Sequence, residues 1–189
     1  YIILIKIFMK YIYPGNLYKK IFSQKFSIYG IYFKRIIKSI CKILEGINHK
    51  STVLDFGCGE GYLKKIYYEK NSKHNLINYD VIPEKSEVKD YKNLKYDIIV
   101  ASHVFCLFDQ KQLENFLENE INKNKNIKLI VAIGTQGFVS KLAQLITNKK
   151  TSNSYNQLNG KEEFEIISKY KKLVFRKNIF FMTNICYFV

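Results

Sequence analysis

The chain has 189 residues, 47% of them hydrophobic, and carries 31 Lys+Arg against 16 Asp+Glu for a formal net charge of +15. That length and apolar fraction fit one domain with a sizeable core and exclude a disordered chain. The charge alone points to a nucleic acid or an anionic surface, but the lysines are scattered among many Ile, Asn and Tyr, which reads as solvated lysine rather than a binding footprint.

Residues 1–27 read as a basic, aromatic segment with a Pro14-Gly15 turn. Its opening run, YIILIKIFM, is broken by Lys6 and falls short of the ~20 apolar residues a membrane span needs. It also lacks the small-residue cleavage site of a secretory signal. Tyr11, Tyr13, Tyr18, Phe22 and Phe26 stand among lysines, a pattern for a cap over a binding site, or for contact with an anionic membrane surface. From about Ile28 the period becomes helical: Ile28, Tyr32, Ile36, Ile40 and Leu44 recur every fourth residue, up to Gly46.

Strand and helix signals then alternate through residues 28–189, the expected main domain. STVLDF is a strand, GYLKKIYYEK a helix and HNLINYD a strand closed by Pro83. A very short strand is expected near SEVKD (86–90), then a strand at YDIIVA. DQKQLENFLENEI is a helix with Asp109 as its N-cap. IKLIVAI is a strand, FVSKLAQLI a helix, TSNSYNQLNG a polar loop and GKEEFEIISKY a helix. The tail reads as two strands joined near Lys177-Asn178. Such alternation predicts an α/β fold with a doubly wound, mostly parallel sheet and helices on both faces. Ligands of such sheets bind outside the carboxyl ends of the strands.

The chemistry concentrates at LDFGCGEG, Leu54 to Gly61. A dinucleotide fingerprint needs G-x-G-x-x-G, but Tyr62 stands at the third position, and the glycines fall at Gly57, Gly59 and Gly61. A pyrophosphate at a helix N-terminus wants no nearby carboxylate, yet Asp55 and Glu60 flank this turn. Asp80 ends the next strand, where an acid can accept hydrogen bonds from both hydroxyls of a ribose. The site therefore asks for a nucleoside that carries positive charge and no phosphate, a description that S-adenosylmethionine meets.

VLDFGCGEG, INYD, YDIIVASHVF and KLIVAIG together resemble the class I S-adenosylmethionine-dependent methyltransferases over roughly residues 30 to 189. The resemblance implies a Rossmann-like, seven-stranded sheet with an antiparallel last strand. It implies that Asp55 binds the methionine ammonium and that Gly57, Cys58 and Gly59, with Gly61 closing the turn, pass under the methionine part. It further implies that Asp80 takes the ribose hydroxyls, Val81 packs on adenine, Asp90 meets the adenine amino group with Tyr91 beside it, and Ser102 lies beside the cofactor. Only ten positions separate Asp80 from Asp90, so the helix that family members place there is shortened or absent. The histidine of the family's fourth-strand motif has no match at Leu107, and His103 is displaced from it.

His103 is the candidate general base, since a neutral imidazole can take a proton from an acceptor hydroxyl. Cys58, Cys106 and Cys186 read as packing residues. With Cys41 they form no C-x-x-C pair, which together with the lack of a signal peptide points to reduced thiols in a cytoplasm. His49, His74 and His103 have no metal-ligand spacing, so no metal is expected. The reading is methyl transfer to a small-molecule acceptor such as a sugar, lipid or metabolite. Methyl transfer to RNA or DNA and a non-catalytic S-adenosylmethionine-binding protein are the alternatives, with a nicotinamide dehydrogenase disfavoured by Tyr62 and Asp55.

Overall fold

A computed structural model of the chain describes residues 28–70, 73–135 and 156–189. The elements in chain order are α1 (Ile28–Glu45), β1 (Thr52–Phe56), α2 (Tyr62–Tyr68), β2 (Asn75–Tyr79), β3 (Ile98–Ser102), α3 (Gln110–Lys123), β4 (Lys128–Gly134), α4 (Gly160–Tyr170), β5 (Leu173–Ile179) and β6 (Thr183–Phe188). Single 3-10 turns occupy Pro83–Lys85 and Phe105–Leu107. The expected segment 1–27 and the expected helix FVSKLAQLI lie outside the described residues.

The described strands form one six-stranded sheet in the order β2-β1-β3-β4-β6-β5. The pairs β1–β2, β1–β3 and β3–β4 are parallel, while β6 runs antiparallel to both β4 and β5. Parallel central strands are buried on both faces, which is why they read as continuous apolar runs. Successive residues point to opposite sides. Val53, Ile98, Val100 and Ile130 meet Ile36, Ile40 and Leu44 of α1 on one face. Leu54, Ile99 and Val131 meet Leu113, Phe116 and Ile167 of α3 and α4 on the other. Capping boxes start α3 and α4: the Asp109 side chain accepts from Gln112 N–H at 2.7 Å, and that of Asn159 from Glu162 N–H at 3.1 Å.

Two expectations need correction. Six strands rather than seven are found among the described residues, because 86–90 is not a strand. A parallel neighbour needs a crossover of a dozen or more residues, and the chain from Asp80 to Asp90 is too short for one. The segment is instead pinned back on β2: Glu87 N–H donates to Asn78 O (3.0 Å), and Asn78 N–H donates to Glu87 Oε2 (3.1 Å). The final hairpin turns at Phe180–Met182, not at Lys177-Asn178. Asn178 reads as a turn residue, but it serves the turn from within β5, where its Oδ1 accepts from Phe181 N–H at 2.6 Å.

Candidate active site

Gly57, Gly59 and Gly61 all stand in the left-handed region, with φ of 74°, 56° and 66°. Their alternation has a local cause. A Cβ on Gly57 would come within 2.4 Å of Val104 Cγ2, whereas one on Gly59 would meet nothing within 4 Å. The outer glycines serve packing and the middle one borders open space. The turn is tied to the end of β2. Gly57 and Cys58 N–H both donate to Tyr79 O, at 2.8 and 3.0 Å. Gly59 N–H donates to Asp80 Oδ2 (2.9 Å), and Ile82 N–H to Asp80 Oδ1 (3.0 Å). A carboxylate offers about four lone-pair sites, so Asp80 fixes the loop and keeps acceptor capacity for two ligand hydroxyls.

The electrostatics single out Asp55. Its side chain is 4% exposed, and no donor among the described residues reaches it. Burial first, then the negative charges of Asp80 and Glu87, push its carboxyl up to about 7. The neighbouring acids are compensated: Glu60 pairs with Lys85 at 2.9 Å, and Glu87 with Lys64 at 2.7 Å. A buried carboxylate without a donor is costly unless a cation arrives. The thiol of Cys58 is raised by burial and by Asp55, and its Sγ donates to Lys85 O at 3.4 Å. It is a protonated packing group, not a nucleophile.

A pocket runs from this loop to the end of β3, lined by Asp55, Gly57, Cys58, Gly59, Ser102 and His103. Phe33, Ile36, Ile37 and Ile40 of α1 form its apolar wall. His103 has a left-handed backbone (φ 56°), uncommon outside glycine, and its N–H continues the ladder to Ala132 O at 3.0 Å. Its Nε2 is hydrogen-bonded to Thr183 Oγ1 at 3.3 Å, and Thr183 Oγ1 in turn to Tyr32 Oη. Burial lowers the imidazole to about 4, so the ring is neutral at physiological pH.

The remaining expected residues divide. Gly61 ends the turn as the N-cap of α2. Val81 follows Asp80 and is half-buried outside the pocket wall. Asp90 is exposed, and its Oδ1 accepts from Lys92 N–H at 2.9 Å. The Tyr91 ring packs 4.7 Å from that of Tyr79 and 5.2 Å from that of Phe56, against the core. Sequence reasoning missed the α1 wall, Tyr32 and Thr183. The helical period marked an apolar face on α1 but not what that face meets. Among the described residues, no group of three or more His, Cys, Asp or Glu is placed to hold a metal ion.

The site fits S-adenosylmethionine on its own geometry: a donor-less buried acid for a cation, an acid with spare acceptor sites for a ribose, and an open glycine between them. Comparisons agree. Residues 30–133, more than half of the chain, match the family described as a methyltransferase domain. The magnesium protoporphyrin IX methyltransferase of Synechocystis, crystallised with S-adenosylhomocysteine, superposes with a TM-score of 0.56 at 11% identity, over 91% of this chain and 92% of that one. The N-methyltransferase NodS of Bradyrhizobium japonicum gives 0.59 at 11% identity over 90% and 94%. The small RNA methyltransferase HEN1 gives 0.66 at 18% identity over 82% of this chain but only 25% of that one. No curated protein matches. On the family match, the fold and the glycine turn together, the chain belongs to the methyltransferase-domain family and is a class I S-adenosylmethionine-dependent methyltransferase.

Proposed function

We propose that this enzyme transfers a methyl group to a small-molecule acceptor held between Ser102, His103 and the apolar face of α1. The observation that carries this reading is the pocket wall. Phe33, Ile36, Ile37 and Ile40 offer an apolar wall to a half-open pocket, suited to a compact acceptor rather than to a nucleic-acid backbone. S-adenosylmethionine, when bound, supplies a methyl on a sulfonium, so transfer asks mainly for an aligned nucleophile. Asp55 would hold the ammonium, Asp80 the ribose hydroxyls, and Gly57, Cys58 and Gly59 the methionine part. Val81, Asp90 and Tyr91 keep the adenine side in this reading. Asp90 and Tyr91 would both have to turn toward the ligand to serve it.

His103 is neutral and can accept a proton from the acceptor as its nucleophile is alkylated. Tyr32 and Thr183 hold its ring in place. An RNA acceptor is the second reading, favoured by the net charge of +15 and the likeness to HEN1. Incubation with methyl-labelled S-adenosylmethionine and a cell extract, split into small-molecule and RNA fractions, decides between them. Label in the small-molecule fraction, lost in His103→Ala, supports the first reading. Label confined to RNA overturns it.

A further inference from the structure

The turn between β5 and β6 is built from unusual residues. Met182 N–H donates to Ile179 O at 3.0 Å, and the two central residues, Phe180 and Phe181, have φ of 51° and 58°. Both central φ values are left-handed, as in the central pair of a type I′ turn, a conformation that favours Asn-Gly and strains any bulky side chain. The two rings gain no burial in return: Phe180 is 49% exposed and Phe181 74%. The tip is nonetheless braced. Asn178 Oδ1 accepts from Phe181 N–H at 2.6 Å, Asn178 Nδ2 donates to Asn184 Oδ1 at 2.9 Å, and the Thr135 hydroxyl donates to Phe181 O. Strain held in place by surrounding bonds is a mark of a functional surface.

The surroundings say what that surface fits. The Arg35 guanidinium lies over the Phe180 ring, 6.0 Å from its centroid. On α1, Ile31, Arg35, Lys38 and Lys42 follow at helical spacing and all are exposed, with Glu45 at the far end. Lys177 sits opposite Ile185, which packs in the α1-side core, so it belongs to the same side of the sheet. Protruding rings beside a row of cations match a surface with an apolar interior and an anionic skin. Ile31, itself 51% exposed, argues for an apolar phase rather than nucleobases, since an aliphatic side chain offers no stacking face.

We propose that the Phe180-Phe181 tip and the exposed stripe of α1 form a docking surface for an anionic lipid–water interface. The rings enter the interface and Arg35, Lys38 and Lys42 meet the headgroups. Thr183, two residues beyond the tip, touches His103, so docking brings the pocket beside the membrane surface. The docking does not rest on the acceptor reading above, and it is tested without any methyl donor.

The chain contains no tryptophan, so a Phe181→Trp variant reports on the tip alone. Mixed with vesicles of phosphatidylcholine and phosphatidylglycerol, its emission should shift to the blue and the protein should sediment with the vesicles. Pure phosphatidylcholine should give weaker binding. The double variant F180N/F181G installs the residues this turn prefers, so it should melt no lower than the parent while its vesicle binding falls roughly tenfold or more. Arg35→Glu with Lys38→Glu should weaken binding to the anionic vesicles alone. The proposal is overturned by an unshifted emission on both vesicle types or by equal sedimentation of F180N/F181G. It is also overturned if the shift appears with mixed RNA, or on self-association of the protein, in place of vesicles.

Discussion

If the buried Asp55 holds the cofactor's ammonium as proposed, cofactor affinity depends on pH in a direction that can be worked out. Its carboxyl is raised from 3.8 to about 7 by burial and by the charges of Asp80 and Glu87. In the free protein this acid is therefore partly protonated at neutral pH. A group raised in the folded state adds stability at low pH that is lost as pH climbs through the folded value, here between about 4 and 7, and the full cost of the shift is roughly 4 kcal/mol. A bound ammonium reverses the preference, because it interacts with the carboxylate and not with the acid. If only the ionised form binds, the competent fraction rises from about one tenth at pH 6 to about nine tenths at pH 8, so the dissociation constant should fall about tenfold. Calorimetric titration of S-adenosylhomocysteine at both pH values measures this. Asp55→Asn should bind weakly at both, with a loss of roughly 2 kcal/mol at pH 8 and no pH trend. An affinity in the parent that is equal at the two pH values, or tighter at pH 6, would refute the reasoning.

Three further outcomes follow from the same geometry. Gly57→Ala forces a left-handed alanine and drives its Cβ to 2.4 Å from Val104 Cγ2, so urea unfolding should show a loss of at least about 2 kcal/mol. Glu163 is 1% exposed with Oε1 unpartnered, and burial raises it from 4.5 to about 8. Stability should accordingly fall as pH rises from about 4.5 to 8, by at most about 5 kcal/mol from this group. Glu163→Gln should flatten that part of the melting-temperature profile. With its imidazole lowered to about 4 by burial, His103 should contribute no inflection near 6.5 to the pH profile of kcat, whereas Asp55 should contribute one near 7 to kcat/KM.

Much of this was legible because burial on both faces writes itself into the sequence. IIVA and LIVAI are unbroken apolar runs and VLDF is interrupted only by Asp55, and each lies in a central strand. Asp109 announced the N-cap of α3, and the structure makes it one half of a capping box with Gln112. The glycine turn and Asp80 could be paired because the fold places successive strand ends side by side. What escaped depends on distant partners. Glu60 read as a second free acid, but Lys85, 25 positions on, neutralises it. Thr183 reaches His103 only because β6 inserts antiparallel beside β4, an arrangement no local pattern encodes. The strand expected near SEVKD, 86–90, was read from that short run alone, and a connection too short for a crossover overrode it.

The central claim is that the glycine turn and Asp80 form the methionine and ribose parts of a methyl-donor site. It is tested most directly by calorimetric titration with S-adenosylhomocysteine, run beside NAD and beside Asp80→Ala. In that variant the carboxylate that braces Gly59 and Ile82 is gone. Saturable binding of S-adenosylhomocysteine that is lost in the variant, with none for NAD, is the predicted result. Unchanged binding by a folded Asp80→Ala, or no binding by the parent, would contradict the account.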